Sequence, residues 1–243
     1  MGSSVCIIVG SGEGLGRALA TTFARHGHDI ALVSRSEQGS RAALDAARAA
    51  RPDARVAFFA ADASEPAQLE QACQRIQAEL GQADVLIYNA RGGLDLRAPL
   101  DMTYAELEEV FKLEVLGAFA AAKGVMPGMI TRGRGSVLFS SATAAFRGSA
   151  TNPLYAIGKF GLRALAQSLA KAYAKAGIHV AHVRLDCTMD VPVVRKAFGD
   201  SLNKETLANP DDVAASYLWL HQQPRSAWSN EVELRPYTEN WSY

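Results

Sequence analysis

The stretch YAIGK, residues 155–159, sets a phenol and an ammonium four positions apart. Tyr155 and Lys159 fall in a segment with strong helical periodicity, so they share one helix face. A phenol normally loses its proton near about pH 10, and an ammonium beside it favours the phenolate. A tyrosine placed this way can give a proton to a carbonyl as hydride arrives, or take one from an alcohol in the reverse direction. The pair alone identifies nothing, since Tyr and Lys at this spacing are common on helix surfaces. It needs a scaffold that brings a hydride source and a carbonyl to the phenol.

The chain alternates strand-like and helix-like segments throughout. Short apolar runs at 5–10, 29–34, 55–62, 83–90, 135–141 and 178–185 read as strands buried on both faces, and 231–235 as a last short one. Helical spacing covers 15–27, 37–50, 66–80, 103–127 (with Pro127 near its end) and 154–176. Another helix is expected after residues 209–212, where Pro210 and two acids suit a first turn. Strand and helix in alternation imply an α/β fold, a doubly wound parallel sheet covered on both faces. A single Rossmann-type domain spanning residues 1–243 is the expectation.

The bulk composition agrees. Of 243 residues, 49% are apolar and 21% charged, with a formal net charge of zero. Such a balance gives no basic surface for nucleic acid or anionic membrane. No run of uninterrupted apolar residues reaches a membrane span, and the N-terminus reads as a first strand rather than a leader. Cys6, Cys73 and Cys187 lie far apart, which argues against a disulfide framework or zinc site and fits a reducing, cytoplasmic setting.

Between the first strand and first helix the chain reads VGSGEGLGRA. A glycine-rich turn lets backbone approach a pyrophosphate, and the helix start offers free N–H groups and a positive dipole end. The spacing is GxxxGxG, with Gly10, Gly14 and Gly16; Ser11 and Leu15 belong to the same cradle. At the end of the second strand, where an acid would bond ribose hydroxyls, stand Ser34 and Arg35. A hydroxyl and a guanidinium suit a 2′-phosphate, which favours NADP(H) over NAD(H), with Glu37 close enough to offset part of the charge.

YxxxK opening the helix after the fifth strand, in a chain whose first turn is GxxxGxG, resembles the short-chain dehydrogenase/reductase family over essentially its whole length. The resemblance implies NAD(P)(H) binding, with Tyr155 as acid/base and Lys159 on the nicotinamide ribose. It implies Asp62 near the adenine amino group, followed by Ala63, and Asn89 and Ala90 of YNA in the family's NAG-like turn. A small-molecule carbonyl or alcohol substrate and a homodimer or homotetramer follow from the same likeness.

Four positions depart from that pattern. The serine expected thirteen residues before the tyrosine is Ala142, flanked by Ser141 and Thr143. Neighbours on an extended chain point to opposite faces, so neither hydroxyl replaces it automatically; Ser141 is taken as the carbonyl donor, with Thr143 the alternative. The expected asparagine is Glu114, a carboxylate that could pair with Lys159 directly. Asp186 and Cys187 stand where Pro-Gly is usual, and Arg91 stands where the NAG glycine would be. The adenosine half looks intact and the nicotinamide half altered. The chain is therefore read as an atypical reductase acting on a small, uncharged or weakly polar molecule, with a non-catalytic NADP(H)-binding protein as the alternative.

Other residues carry less. Cys187 has no histidine placed to activate it. His179 and His182 are three apart on a strand and face opposite sides, so they form no metal pair. The segment 186–209, with Arg195, Lys196 and Phe198, resembles the family's substrate-covering loop, and Arg147 is a further candidate for substrate contact. The aromatic tail, with Tyr237, Trp241 and Tyr243, suggests packing against another subunit.

Overall fold

A computed structural model describes residues 4–93, 95–199 and 203–239; Trp241 and Tyr243 lie outside the described residues. The strands are β1 (Ser4–Val9), β2 (His28–Ser34), β3 (Val56–Ala60), β4 (Ala83–Tyr88), β5 (Gly135–Ala142), β6 (Ile178–Leu185), the two-residue β7 (Thr188–Met189) and β8 (Leu207–Ala208), and β9 (Glu231–Leu234). Helices are α1 (Leu15–Arg25), α2 (Glu37–Ala50), α3 (Pro66–Glu79), α4 (Tyr104–Phe111), α5 (Gly117–Arg132), α6 (Pro153–Tyr173), α7 (Pro192–Phe198) and α8 (Pro210–Gln222). Seven strands form one sheet in the order β3-β2-β1-β4-β5-β6-β9. Every pairing in it is parallel.

The strands carry apolar residues on both faces because both faces are covered. Val5, Ile7 and Val9 of β1 pack into a core shared with α3, α5 and α6. Cys6 and Ile8 face the opposite core, built with α1, α2 and α8. Each fully buried Leu, Ile or Phe contributes about 1.5–3 kcal/mol. Chain order reverses between β1 and β4, which opens a crevice beyond their C-terminal ends. The glycine turn, Asn89 and the end of β5 all border that crevice.

The fourth helix differs from the expectation. It runs past Pro127 to Arg132 and ends at Gly133, whose φ of 64° is left-handed. One proline inside a helix costs a single backbone bond, and a buried apolar face outweighs it here. A π turn, residues 112–116, interrupts the run between α4 and α5. By length and composition the run Tyr104–Arg132 could cross a membrane, but half of its most apolar window is buried in the fold.

Candidate functional site

Backbone contacts fix the nucleotide end of the crevice. Gly10 has a φ of 88°, and a Cβ there would stand 2.5 Å from Ala90 N. A Cβ on Gly16 would stand 2.7 Å from Ser11 Cα, so helix and turn touch through glycine alone. Asn89 Nδ2 donates to Gly10 O at 2.9 Å and ties the end of β4 to the turn. Helix α1 has neither a side-chain cap nor an acid in its first turn, which leaves its start fit for an anion. Leu15 is buried beneath it.

A chain of hydroxyls braces this turn. Ser11 Oγ lies 2.7 Å from Ser40 Oγ, which lies 2.8 Å from Ser34 Oγ. Ser34 also reaches Ser36 O at 3.0 Å, so its hydroxyl serves the scaffold. Arg35 is exposed beside it, and Glu37 makes its ion pair with Arg41 at 3.8 Å. Asp62 accepts from Ser64 N and Ser64 Oγ; these two bonds hold its carboxyl below the usual range, and Arg35 adds to the effect. A Cβ on Gly117 would stand 2.0 Å from Ala63 O, which explains the close seat of α5 on this loop.

The other end is held by side chains. Tyr155 and Thr143 border one cavity of about 440 Å³, together with Arg147, Ser149 and Asn152. Ala142 ends β5 without a hydroxyl. Ser141 is 4% exposed, its Oγ has no hydrogen-bond partner, and it does not line the cavity. Thr143 does line it, and its Oγ1 donates to Asp186 Oδ1. Asp186 in turn pairs with Arg235 at 2.7 Å, which joins the ends of β5, β6 and β9. Cys187 is half-buried and desolvation pushes its thiol up to about 11, so it stays protonated and inert.

Lys159 lies on the buried face of α6 and is 2% exposed. Its Nζ is 5.5 Å from the centre of the Tyr155 ring, 3.3 Å from Ser140 O and 2.8 Å from Glu114 Oε2. Glu114, in the π turn, is fully buried, and its Oε1 accepts from Gly92 N at 3.1 Å. Gly158 makes this possible: a Cβ there would stand 2.9 Å from Glu114 Cγ. Two buried charges are tolerated because they meet, and removing one partner of such a pair costs about 3–5 kcal/mol. Arg91 is exposed and Asp186 is turned to Thr143 and Arg235.

The short-chain dehydrogenase profile matches residues 4–198. The chain belongs to that family. Levodione reductase of Leifsonia aquatica is 31% identical over 228 residues, covering 94% of this chain and 84% of its own. Carbonyl reductase family member 4 of Xenopus laevis is 28% identical over 232 residues, covering 91% and 92%. A crystal structure of levodione reductase superposes with a TM-score of 0.86 at 25% identity, over 96% of each chain. This short-chain dehydrogenase is thus an oxidoreductase on an NAD(P)-binding fold, with a small molecule as the class of substrate.

Some parts of this short-chain dehydrogenase had no sequence signal strong enough to single them out. Ser40 looks like any polar residue in α2, yet it links Ser11 to Ser34. Val191 packs its Cγ1 2.9 Å from where a Gly14 Cβ would be, bringing the segment after β6 across the glycine turn. Arg235 follows the last strand as an ordinary polar residue. Gly158 was visible inside YAIGK, and a glycine in mid-helix is the kind of exception that marks a close approach. Helix α7 carries Arg195 bonded to Asp190 at 2.6 Å, with exposed Lys196 and Phe198. Tyr237 is exposed.

Proposed function

We propose that the protein is an NADP(H)-dependent short-chain reductase that interconverts a carbonyl and an alcohol on a small molecule. Residues 1–243 act as one unit. The observation that carries the reading is Tyr155 bordering a cavity together with Thr143, with Lys159 beneath its ring. The cofactor supplies and accepts the hydride. Gly10, Ser11, Gly14, Leu15 and Gly16 hold its pyrophosphate, Asp62 and Ala63 its adenine side, and Asn89 and Ala90 the crevice between the two halves. Arg35 meets the 2′-phosphate, with Ser34 fixing the turn behind it. Tyr155 gives or takes the proton at the substrate oxygen. Lys159 pairs with the Glu114 charge and donates to Ser140 O, which leaves N–H groups for a ribose hydroxyl.

We assign the substrate-facing hydroxyl to Thr143 rather than Ser141, because only Thr143 lines the cavity. A carboxylate accepts but does not donate, so the Thr143 proton goes to Asp186. Donation to a substrate carbonyl therefore requires that the Thr143 O–H turn from Asp186 into the cavity. The exposed Phe111 and Phe160, beside an apolar groove of about 660 Å³ between α4 and α6, support assembly as a homodimer or homotetramer; a cytoplasmic setting belongs to the same proposal.

Titration of the protein with NADPH and NADH, followed by nicotinamide fluorescence and a carbonyl and alcohol panel, tests the reading. Tighter NADPH binding with turnover supports it. Saturable NADPH binding with no turnover on any panel member supports the second reading, a non-catalytic NADP(H) binder. The direct Glu114–Lys159 pair favours that second reading, since it removes a free ammonium from the site. Light scattering reads the assembly.

A further inference from the structure

The π turn, the glycine of YAIGK and the loop after β4 converge on one carboxylate. Glu114 is pressed against α6 where Gly158 leaves room, accepts from Gly92 N, and lies 2.8 Å from Lys159 Nζ. We propose that Glu114 is a positioning residue that cancels the charge of Lys159 at Tyr155 and so sets the pH range in which that phenol exchanges its proton. The inference rests on the reading of Tyr155 as acid/base.

The physical case is short. A lone buried ammonium 5.5 Å from the ring centre would act on the phenol as a full charge. With a carboxylate at 2.8 Å the phenol meets a dipole instead, whose field falls faster with distance. The other charges near it are the same in every variant: Arg147 lines the Tyr155 cavity, and Arg163 on α6 pairs with Glu231. From β4, Tyr88 donates to Leu113 O and faces Glu114; burial first, and the Glu114 charge second, push its phenol up, so it stays neutral. From β6, His182 faces Lys159, Arg163 and Glu231, and burial lowers it to about 4, so it is neutral as well. From α6 come Lys159 and Tyr155 themselves. Glu114 also orients: its charge at 2.8 Å and the hydrogen bond to Ser140 O hold the Lys159 ammonium in place.

The test is an ultraviolet titration of the phenolate band, with the matching Tyr155→Phe spectrum subtracted so that one tyrosine is read. In Glu114→Gln the midpoint is expected to fall by about one pH unit or more relative to the unaltered protein. Glu114→Asp, which keeps the charge, is expected to stay near the unaltered value. Glu114→Gln/Lys159→Met loses both charges together and is expected to return to it. Equal midpoints in the unaltered protein and Glu114→Gln overturn the proposal. Where the single amide does not fold, the double variant decides: a midpoint well above the unaltered one shows that the lysine charge had been acting uncancelled. The alkaline limb of alcohol oxidation is expected to move with the titration. A shifted titration in a protein that turns over nothing sinks the catalytic reading and leaves this one standing; turnover with an unmoved titration does the reverse.

Discussion

At the β1–β4 end of the crevice, Gly10 and Gly16 meet backbone at distances that leave no room for a Cβ, and the Asn89 amide ties β4 to the turn. At the β5–α6 end, Lys159, Glu114, Thr143, Asp186 and Arg235 are held by charge. At the first end neither Gly10 nor Gly16 tolerates an added Cβ. The second has room around Tyr155 and is vulnerable to the loss of any one charge. Under the proposed function the difference separates two tasks: a rigid cradle can bind a nucleotide without tuning, whereas proton transfer depends on the balance of charge about one phenol.

The strongest way to break the comparison is Tyr155→Phe. Removing one hydroxyl from the roomy end is expected to lower turnover by about 10²–10⁴-fold. NADPH affinity should hardly change, because the cradle at the other end is untouched. Steady-state kinetics beside a fluorescence titration checks both, and comparable turnover in the variant would remove Tyr155 from the chemistry. At the rigid end the expectation inverts. Gly10→Ala forces a Cβ to within 2.5 Å of Ala90 N at a φ of 88°. A loss of at least about 2–3 kcal/mol in stability is expected, with cofactor binding lost alongside it. Denaturant unfolding with and without NADPH reads it; a variant as stable as the parent would mean that the turn relaxes.

The two hydroxyls beside Ala142 sharpen the contrast on a smaller scale. Thr143→Val is expected to cost about ten- to a hundredfold in kcat/KM, the scale of one hydrogen bond to a charged or reacting group. Ser141→Ala is expected to leave kcat/KM within about twofold, since its hydroxyl is buried and makes no contact in the cavity. Reversed results would return the role to Ser141.

The two ends also differed in how legible they were. The alternation of apolar runs and helices was enough for the sheet, its parallel pairing and its double cover, because burial on both faces writes itself into every strand residue. GxxxGxG placed the cradle for the same reason, since only glycine satisfies those contacts. The charge-built end was harder to read. Glu114 and Lys159 are 45 positions apart; their pairing is expected from the resemblance to the family and not from any local signal. Thr143 and Asp186 are equally remote in sequence, and strand alternation could set Ser141 and Ala142 on opposite faces without saying which face held the cavity. Pro127 misled because tertiary burial outweighed a local helix breaker.

Acid offers the gentlest probe, because one buried neutral histidine lies at the charged end and others lie far from the crevice. His182 lies beneath α6 at the charged end. His28 lies at the start of β2, near His221, Asp84, Arg51 and His26 and far from the crevice. Burial is the main cause for each, and each falls to about 4. A folded-state value below the unfolded one means that the unfolded chain binds more protons in between. The stability these neutral rings permit is therefore fully present above about pH 6.5 and is lost as the pH falls towards about 4, by up to about 3 kcal/mol for each ring. Urea midpoints measured from pH 7.5 to pH 4.5 (about three units in all) should fall steadily. His182→Asn should flatten that slope only in part, since burial also lowers His28, His179 and His221. A slope left unchanged would place the acid sensitivity with His28, His179 and His221, away from the Lys159–Glu114 pair.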